Sequence, residues 1–190
     1  MSGSVSEAVR RFDSCHAAML TALDGVRDDE DLARSTPCPE WDLRRLVEHV
    51  SDVAHVLARL ARTGVLSLDP PPDAEPGAGD PVARARSQLR RAASAIQEAA
   101  GSADERVRGQ AMAAAQSGAV ELAAHGWDVT TAMGRAPALT DPEAASVLQL
   151  AGGLLDDAQR GSNFAPARAA TGAATVADSL AAFLGRRARA

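Results

Sequence analysis

Glu121, His125 and Asp128 are the only side chains able to ionise between Gly109 and Gly134. Alanine, glycine, apolar and uncharged polar residues make up the rest of that stretch. A helix so poor in charge belongs in a core, where an unpaired charge is expensive. Glu121 and His125 stand four positions apart, on one helical face and a turn from each other. A carboxylate and an imidazole so placed can form a hydrogen-bonded pair within a core, or they can share a divalent metal ion. Asp128 falls three residues after His125, close to the same stripe. It can orient a ligand from behind, or simply serve an arginine or a helix cap. Ala114, Ser117 and Ala132 share the face, and their small side chains leave room for a ligand.

A second helical segment offers a third ligand. Its apolar stripe centres near Leu46, Val50, Val53 and Leu57. At about 100° per residue, His49 lies on the margin of that stripe and can look inward, whereas His55 falls nearly opposite and is expected to face solvent. His49 from one helix with Glu121 and His125 from another follows the way bundles assemble metal centres from facing helices. Two imidazoles and a carboxylate suit zinc, with nickel, iron(II) or manganese as alternatives. Three protein ligands leave a position for water or substrate, as in reactive rather than structural sites. Among the remaining chemistry-bearing residues, Cys38 sits near a helix start, where thiols are activated, but packing as a small apolar residue is the preferred reading. His16, Trp41 and Trp127 are read as packing residues.

Such ligands need helices to carry them. The first is expected over about Ser4 to Gly25, with Val5, Val9, Phe12, His16, Met19, Leu20 and Leu23 in helical spacing. Arg27 to Thr36 reads as a polar connection. Ser35-Thr36-Pro37-Cys38-Pro39-Glu40-Trp41-Asp42 is a start signal, with prolines and early acids, so the second helix is expected from about Pro39 to Thr63. The run from Leu68 to Pro81 is too rich in proline and glycine for helix. Its length suits a crossover joining parallel neighbours in a four-helix bundle. The third and fourth helices are expected over about Pro81 to Gly101 and Arg106 to Met133, with Gly134 as a stop. A shorter helix opens at Thr140-Asp141-Pro142-Glu143 and runs to roughly Asp157. After a turn-rich stretch from Arg160 to Thr175, a last short helix covers Val176 to Leu184.

The composition agrees. Tyrosine and lysine are absent and alanine and leucine abound over 190 residues, which favours helix over strand and an all-α chain of one domain, 1–190. A net charge of −5 with both signs interspersed disfavours a nucleic-acid partner. No apolar run approaches a membrane span and the N-terminus lacks a signal-peptide core. Two cysteines make no disulfide framework. A cytoplasmic protein is expected.

Thr36-Pro37-Cys38-Pro39-Glu40-Trp41-Asp42-Leu43-Arg44-Arg45-Leu46-Val47-Glu48-His49-Val50 resembles the first signature of the mycothiol-dependent maleylpyruvate isomerase N-terminal domain group, within the DinB-like superfamily. Glu121-Leu122-Ala123-Ala124-His125-Gly126-Trp127-Asp128 resembles the second. The ending Asp178 to Arg186 is similar to the tail of a single-domain actinobacterial subgroup of metal-binding proteins. The resemblance implies a DinB-like four-helix bundle with short extra C-terminal helices. It implies a divalent metal, usually zinc, on His49, Glu121 and His125. It also implies mycothiol or a related small thiol as cosubstrate, activated by the metal for attack on an electrophilic substrate. The isomerases of this group carry an additional C-terminal domain, and this chain ends soon after the bundle. A thiol-dependent transferase or isomerase, or a metal-binding protein of unknown reaction, is therefore expected rather than maleylpyruvate isomerisation itself. The alternatives are a non-catalytic metal-binding or thiol-stress-sensing module, and a bundle whose polar stripe only fixes packing register. Exposed helix faces, and the dimers common among DinB-like relatives, are compatible with a homodimer.

Overall fold

The computed structural model describes residues 4–38, 41–67, 79–155, 160, 165–170 and 175–187. Within them, α1 spans Val5–Leu23, α2 Asp29–Leu32, α3 Leu43–Thr63, α4 Pro81–Ala100, α5 Glu105–Ala132, α6 Asp141–Leu154 and α7 Val176–Phe183. There is no strand among the described residues, only an isolated bridge between Ser35 and Asp42. Nor is any of these helices long and apolar enough to cross a membrane. Polar side chains mark the helix starts: Ser4, Asp28, Asp42, Asp80, Asp104 and Thr175 each accept a backbone N–H of the first turn. Each such cap satisfies a donor that the helix itself leaves orphaned.

Four long helices, α1, α3, α4 and α5, make the bundle, and side-chain contacts fix their directions. Phe12 approaches Gly118 and Met19 approaches Gly126, so α1 and α5 run parallel. Gly64, just past the end of α3, lies against Gln110 near the start of α5, while His49 near the start of α3 faces His125 far along α5. Those two helices are antiparallel. Arg86 in α4 bonds Asp24 just after α1, and Gln97 further along bonds Asp13 inside α1, so α4 opposes α1. It follows that α3 and α4 are parallel neighbours. Parallel neighbours are the arrangement for which a long crossover is expected. The proline-rich stretch expected to form it falls at 68–78, outside the described residues.

The core explains why α5 carries so little charge. From Leu122 to Thr130 every residue is buried. Helix α5 is packed on by α1, α3, α4, α6 and α7, so its second half has no solvent face, while Arg106, Gly109, Ala113 and Ser117 form an exposed stripe on the first. Gly118 sits where three helices meet: a Cβ there would lie 2.8 Å from the Phe12 ring and 2.9 Å from Leu57 Cδ1. The absent side chain lets the helices close to that distance.

Three expected boundaries differ. Helix α3 begins at Leu43 rather than Pro39, because Asp42 takes the cap role and accepts the Arg45 N–H at 2.8 Å. The residues before it close on themselves instead, with Leu43 N–H donating to the Arg34 carbonyl at 2.8 Å. The connection after α1 carries the short α2, whose four residues are too few for any hydrophobic period to register. Helix α6 stops at Leu154, just after the pair Gly152–Gly153, and Leu155 is already extended. Two successive glycines remove helix propensity where the end is decided. Asp157, its expected end, and most of 160–175 lie outside the described residues.

Candidate metal centre

Antiparallel packing of α3 and α5 brings His49 to Glu121 and His125. Donor atoms of these three side chains all lie within 4.8 Å of one another. His125 Nε2 is 3.4 Å from Glu121 Oε2. The His49 and His125 rings meet nearly edge to face, with centroids 4.9 Å apart at 82°. Exposure falls steadily inward. Ser117, one turn before Glu121, is exposed, and Glu121 and His49 are half-buried. His125 is 6 % exposed and Asp128 not at all. The group thus recedes from solvent near Ser117 to a buried polar floor inside the bundle, and in that sense forms a recess.

The floor is a carboxylate. Asp128 Oδ2 accepts from Arg186 Nη2 at 2.9 Å and from the Cys38 thiol at 3.3 Å, and it lies 3.1 Å from His125 Nδ1. Arg186 Nε adds a longer contact to Asp128 Oδ1 at 3.3 Å. Cys38 is held there by the turn before α3. The Thr36 hydroxyl accepts the Cys38 N–H at 3.2 Å and donates to the Trp41 carbonyl at 2.9 Å. That turn also sets Trp41 against His49, ring centroids 4.9 Å apart, with the Arg45 guanidinium 5.8 Å from the Trp41 ring centre.

Electrostatics sort the two imidazoles. Burial, and then the positive charge of His125, pushes His49 down to about 4. It is therefore neutral at pH 7 and offers a lone pair. Burial would lower His125 too, but hydrogen bonds with Asp128, Cys38 and Glu121 outweigh it and hold that imidazole well above the usual histidine range. Burial opposes charge on both carboxylates as well. For Glu121 the bond to His125 prevails, and for Asp128 the bond to His125 and the Arg186 charge do, so both stay below the usual range. Without a metal, His125 is thus a cation held between two anions.

The structure groups the three sequence-selected residues and revises their surroundings. His55 is half-buried rather than solvent-facing. Trp127 is a core anchor, buried against Ala144, Ala177 and Ala181 and donating from Nε1 to Asp178 at 2.8 Å. Trp41 is instead a half-buried wall of the recess. Cys38 does more than pack, since its thiol bonds Asp128. His16 does pack, stacking on Phe12. Asp128 occupies both of its expected roles at once, behind His125 and beside an arginine. That arginine, Arg186, had no role in the sequence reading. A pair formed across 58 positions leaves no periodic trace, and only the presence of Arg186 in the tail motif hinted at it.

A family model described as the mycothiol maleylpyruvate isomerase N-terminal domain matches residues 12–130. No curated protein and no solved structure matched the chain.

Proposed function

Since the chain belongs to the mycothiol maleylpyruvate isomerase N-terminal domain family, we propose that it binds a divalent metal, zinc above all, through His49, Glu121 and His125. We propose further that it acts on a low-molecular-weight thiol of the mycothiol type, transferring it to an electrophilic substrate. The observation that carries this is the convergence of the three donors within 4.8 Å, with Glu121 and His49 only half-buried.

The donor set fits the ion. Ligands about 2.0–2.2 Å from a tetrahedral zinc stand roughly 3.3–3.5 Å apart, and Glu121 Oε2 and His125 Nε2 are separated by 3.4 Å. His49 is neutral, as ligation requires. A divalent ion here supplies a Lewis acid able to bring a thiol to its thiolate near neutral pH.

Charge accounting favours an anionic partner. With both imidazoles neutral, Glu121 and Asp128 are negative and Arg186 positive. A divalent ion would leave the cluster one unit positive, and a thiolate restores neutrality in a site where uncompensated charge is costly. The residues of the chain supply the rest. Trp41 packs against His49, and Arg45 stands beside the Trp41 ring. Both cysteines are free thiols, which fits a reducing, cytosolic compartment.

Metal analysis and turnover test the proposal together. Protein purified without a histidine tag is expected to take up one zinc ion per chain and to lose that capacity in the His49→Ala variant. The zinc-loaded protein is expected to conjugate mycothiol to chlorodinitrobenzene. Wild-type affinity in His49→Ala would refute the ligand set, and zinc uptake without turnover would leave a binding module in place of an enzyme.

A further inference from the structure

Arg186 lies well beyond the matched region 12–130, yet its guanidinium reaches the floor of the recess. The chain takes some care to bring it there. Helix α7 docks on α5 through Trp127 Nε1 and Asp178, one residue before Asp128. The helix then ends in a Schellman turn: Arg186 N–H bonds the Ala181 carbonyl at 2.9 Å and Gly185 N–H the Ala182 carbonyl at 3.0 Å. Gly185 takes φ +86°, the left-handed conformation that reverses the chain at low cost only for glycine. Arg186 is thereby turned back into the bundle. Its Nη1 donates to the Leu184 carbonyl at 3.1 Å and its Nη2 to Asp128 Oδ2 at 2.9 Å. Its side chain is 10 % exposed and that of Asp128 is fully buried.

We infer, resting on the metal assignment proposed above, that Arg186 is a positioning residue: it fixes Asp128, which in turn holds His125 with Nδ1 as donor and Nε2 turned toward Glu121 and His49. Two physical points carry this. A fully buried carboxylate needs a partner cation or hydrogen-bond donors to stay ionised, and among the described residues Arg186 is the arginine in bonding contact with Asp128. A carboxylate accepting from Nδ1 fixes the imidazole tautomer and orientation, which leaves the other nitrogen as ligand. Asp128 Oδ2 is 3.1 Å from Nδ1 while Glu121 Oε2 is 3.4 Å from Nε2, so the ring spans the two carboxylates. A segment outside the family match thus becomes a condition for tight metal binding.

Zinc affinity, read by competition with a chromogenic chelator, and the visible spectrum of bound cobalt(II) test this in the full chain. Asp128→Asn and Arg186→Ala are each expected to weaken zinc binding about 10–100-fold and to shift the cobalt bands. The double variant is expected to be no weaker than the weaker single one, since both act along one path. Arg86→Gln, which breaks an ion pair between α4 and the residue after α1, neither of which carries a proposed ligand, should leave affinity unchanged. Unchanged affinity and cobalt bands in Arg186→Ala, or losses that multiply in the double variant, overturn the inference. If circular dichroism shows Arg186→Ala to be unfolded, the wild type decides instead. Its Arg186 Nε–H signal should shift when zinc is added, and a stationary signal overturns the inference. Loss of zinc binding in His49→Ala together with wild-type binding in Arg186→Ala would sink this inference alone. A wild type that takes up neither ion would sink the metal assignment, and the inference with it.

Discussion

An imidazole has nitrogens on opposite edges, and His125 uses both. In the metal-free protein each edge faces a carboxylate, so the ring holds its second proton well into the neutral range. A metal ion must displace that proton, because ligation needs a free lone pair. His49, pushed down to about 4, has no such proton to lose. The sign follows: as pH falls, the proton competes with the metal at His125 before it does at His49, which is pushed down to about 4. Zinc uptake at pH 7 is expected to release about one proton per ion. Calorimetry in buffers of different ionisation enthalpy measures it, and zero release would contradict the assignment of His125. The two thiols should also part company. Burial, reinforced by the charge of Glu143, pushes Cys15 up to about 12, so it stays a thiol at pH 8. Thiol-reactive dye is expected to label only Cys38 in the folded protein, and Cys15 after unfolding in guanidinium. A native Cys38→Ser variant that still labels would be inconsistent with the packing around Cys15.

At the scale of elements, two glycines hold the arrangement for different reasons. Gly118 is a matter of space, with Phe12 and Leu57 already where its side chain would go. Gly118→Val is expected to cost roughly 1–3 kcal/mol from overpacking, read as a lowered denaturation midpoint with unchanged slope. A neutral result would mean that α1 and α3 yield easily at this crossing. Gly185 is a matter of backbone. An alanine at φ +86° is strained, and its Cβ would also lie 2.6 Å from the Ala165 carbonyl oxygen. Gly185→Ala is expected to cost about 1–2 kcal/mol from the conformation alone and to loosen α7. A change in Trp127 fluorescence should accompany it, since that indole is tied to Asp178 of α7. Capping, by contrast, was readable in advance at Thr140, where Glu143 accepts the Thr140 N–H at 2.9 Å. The start of α3 was misjudged because proline and aspartate both signal helix starts, and only one of the competing positions can serve as cap.

For the molecule as a whole, the proposed metal binding would be coupled to folding. A site assembled from α3 and α5 exists only while the bundle is closed, so an ion that binds the folded state alone stabilises it. Zinc at a hundred times its dissociation constant adds about 2.7 kcal/mol. For a chain this long that corresponds to a melting shift of roughly 5–11 °C. Calorimetric melting of the wild type with and without zinc is expected to show it, and His49→Ala to abolish it while melting cooperatively. An equal shift in the variant would point to ions binding elsewhere.

The amino-acid sequence by itself determined the helical class, the buried α5 and the candidate trio. These rest on local patterns: a 3.6-residue period, a stretch nearly free of charge, and a four-residue spacing that puts Glu121 and His125 on one face. It also set the direction of α4, through a proline-rich segment too long for a hairpin. Tertiary structure alone decided which partners join Asp128 behind the trio. Cys38 comes from the turn before α3, Asp128 from the last turns of α5, and Arg186 from beyond α7, and they meet on one carboxylate oxygen. Contacts among such distant positions depend on how the helices pack and how the last one turns at Gly185. No local period encodes that packing, so the floor of the recess became visible only when the chain was folded.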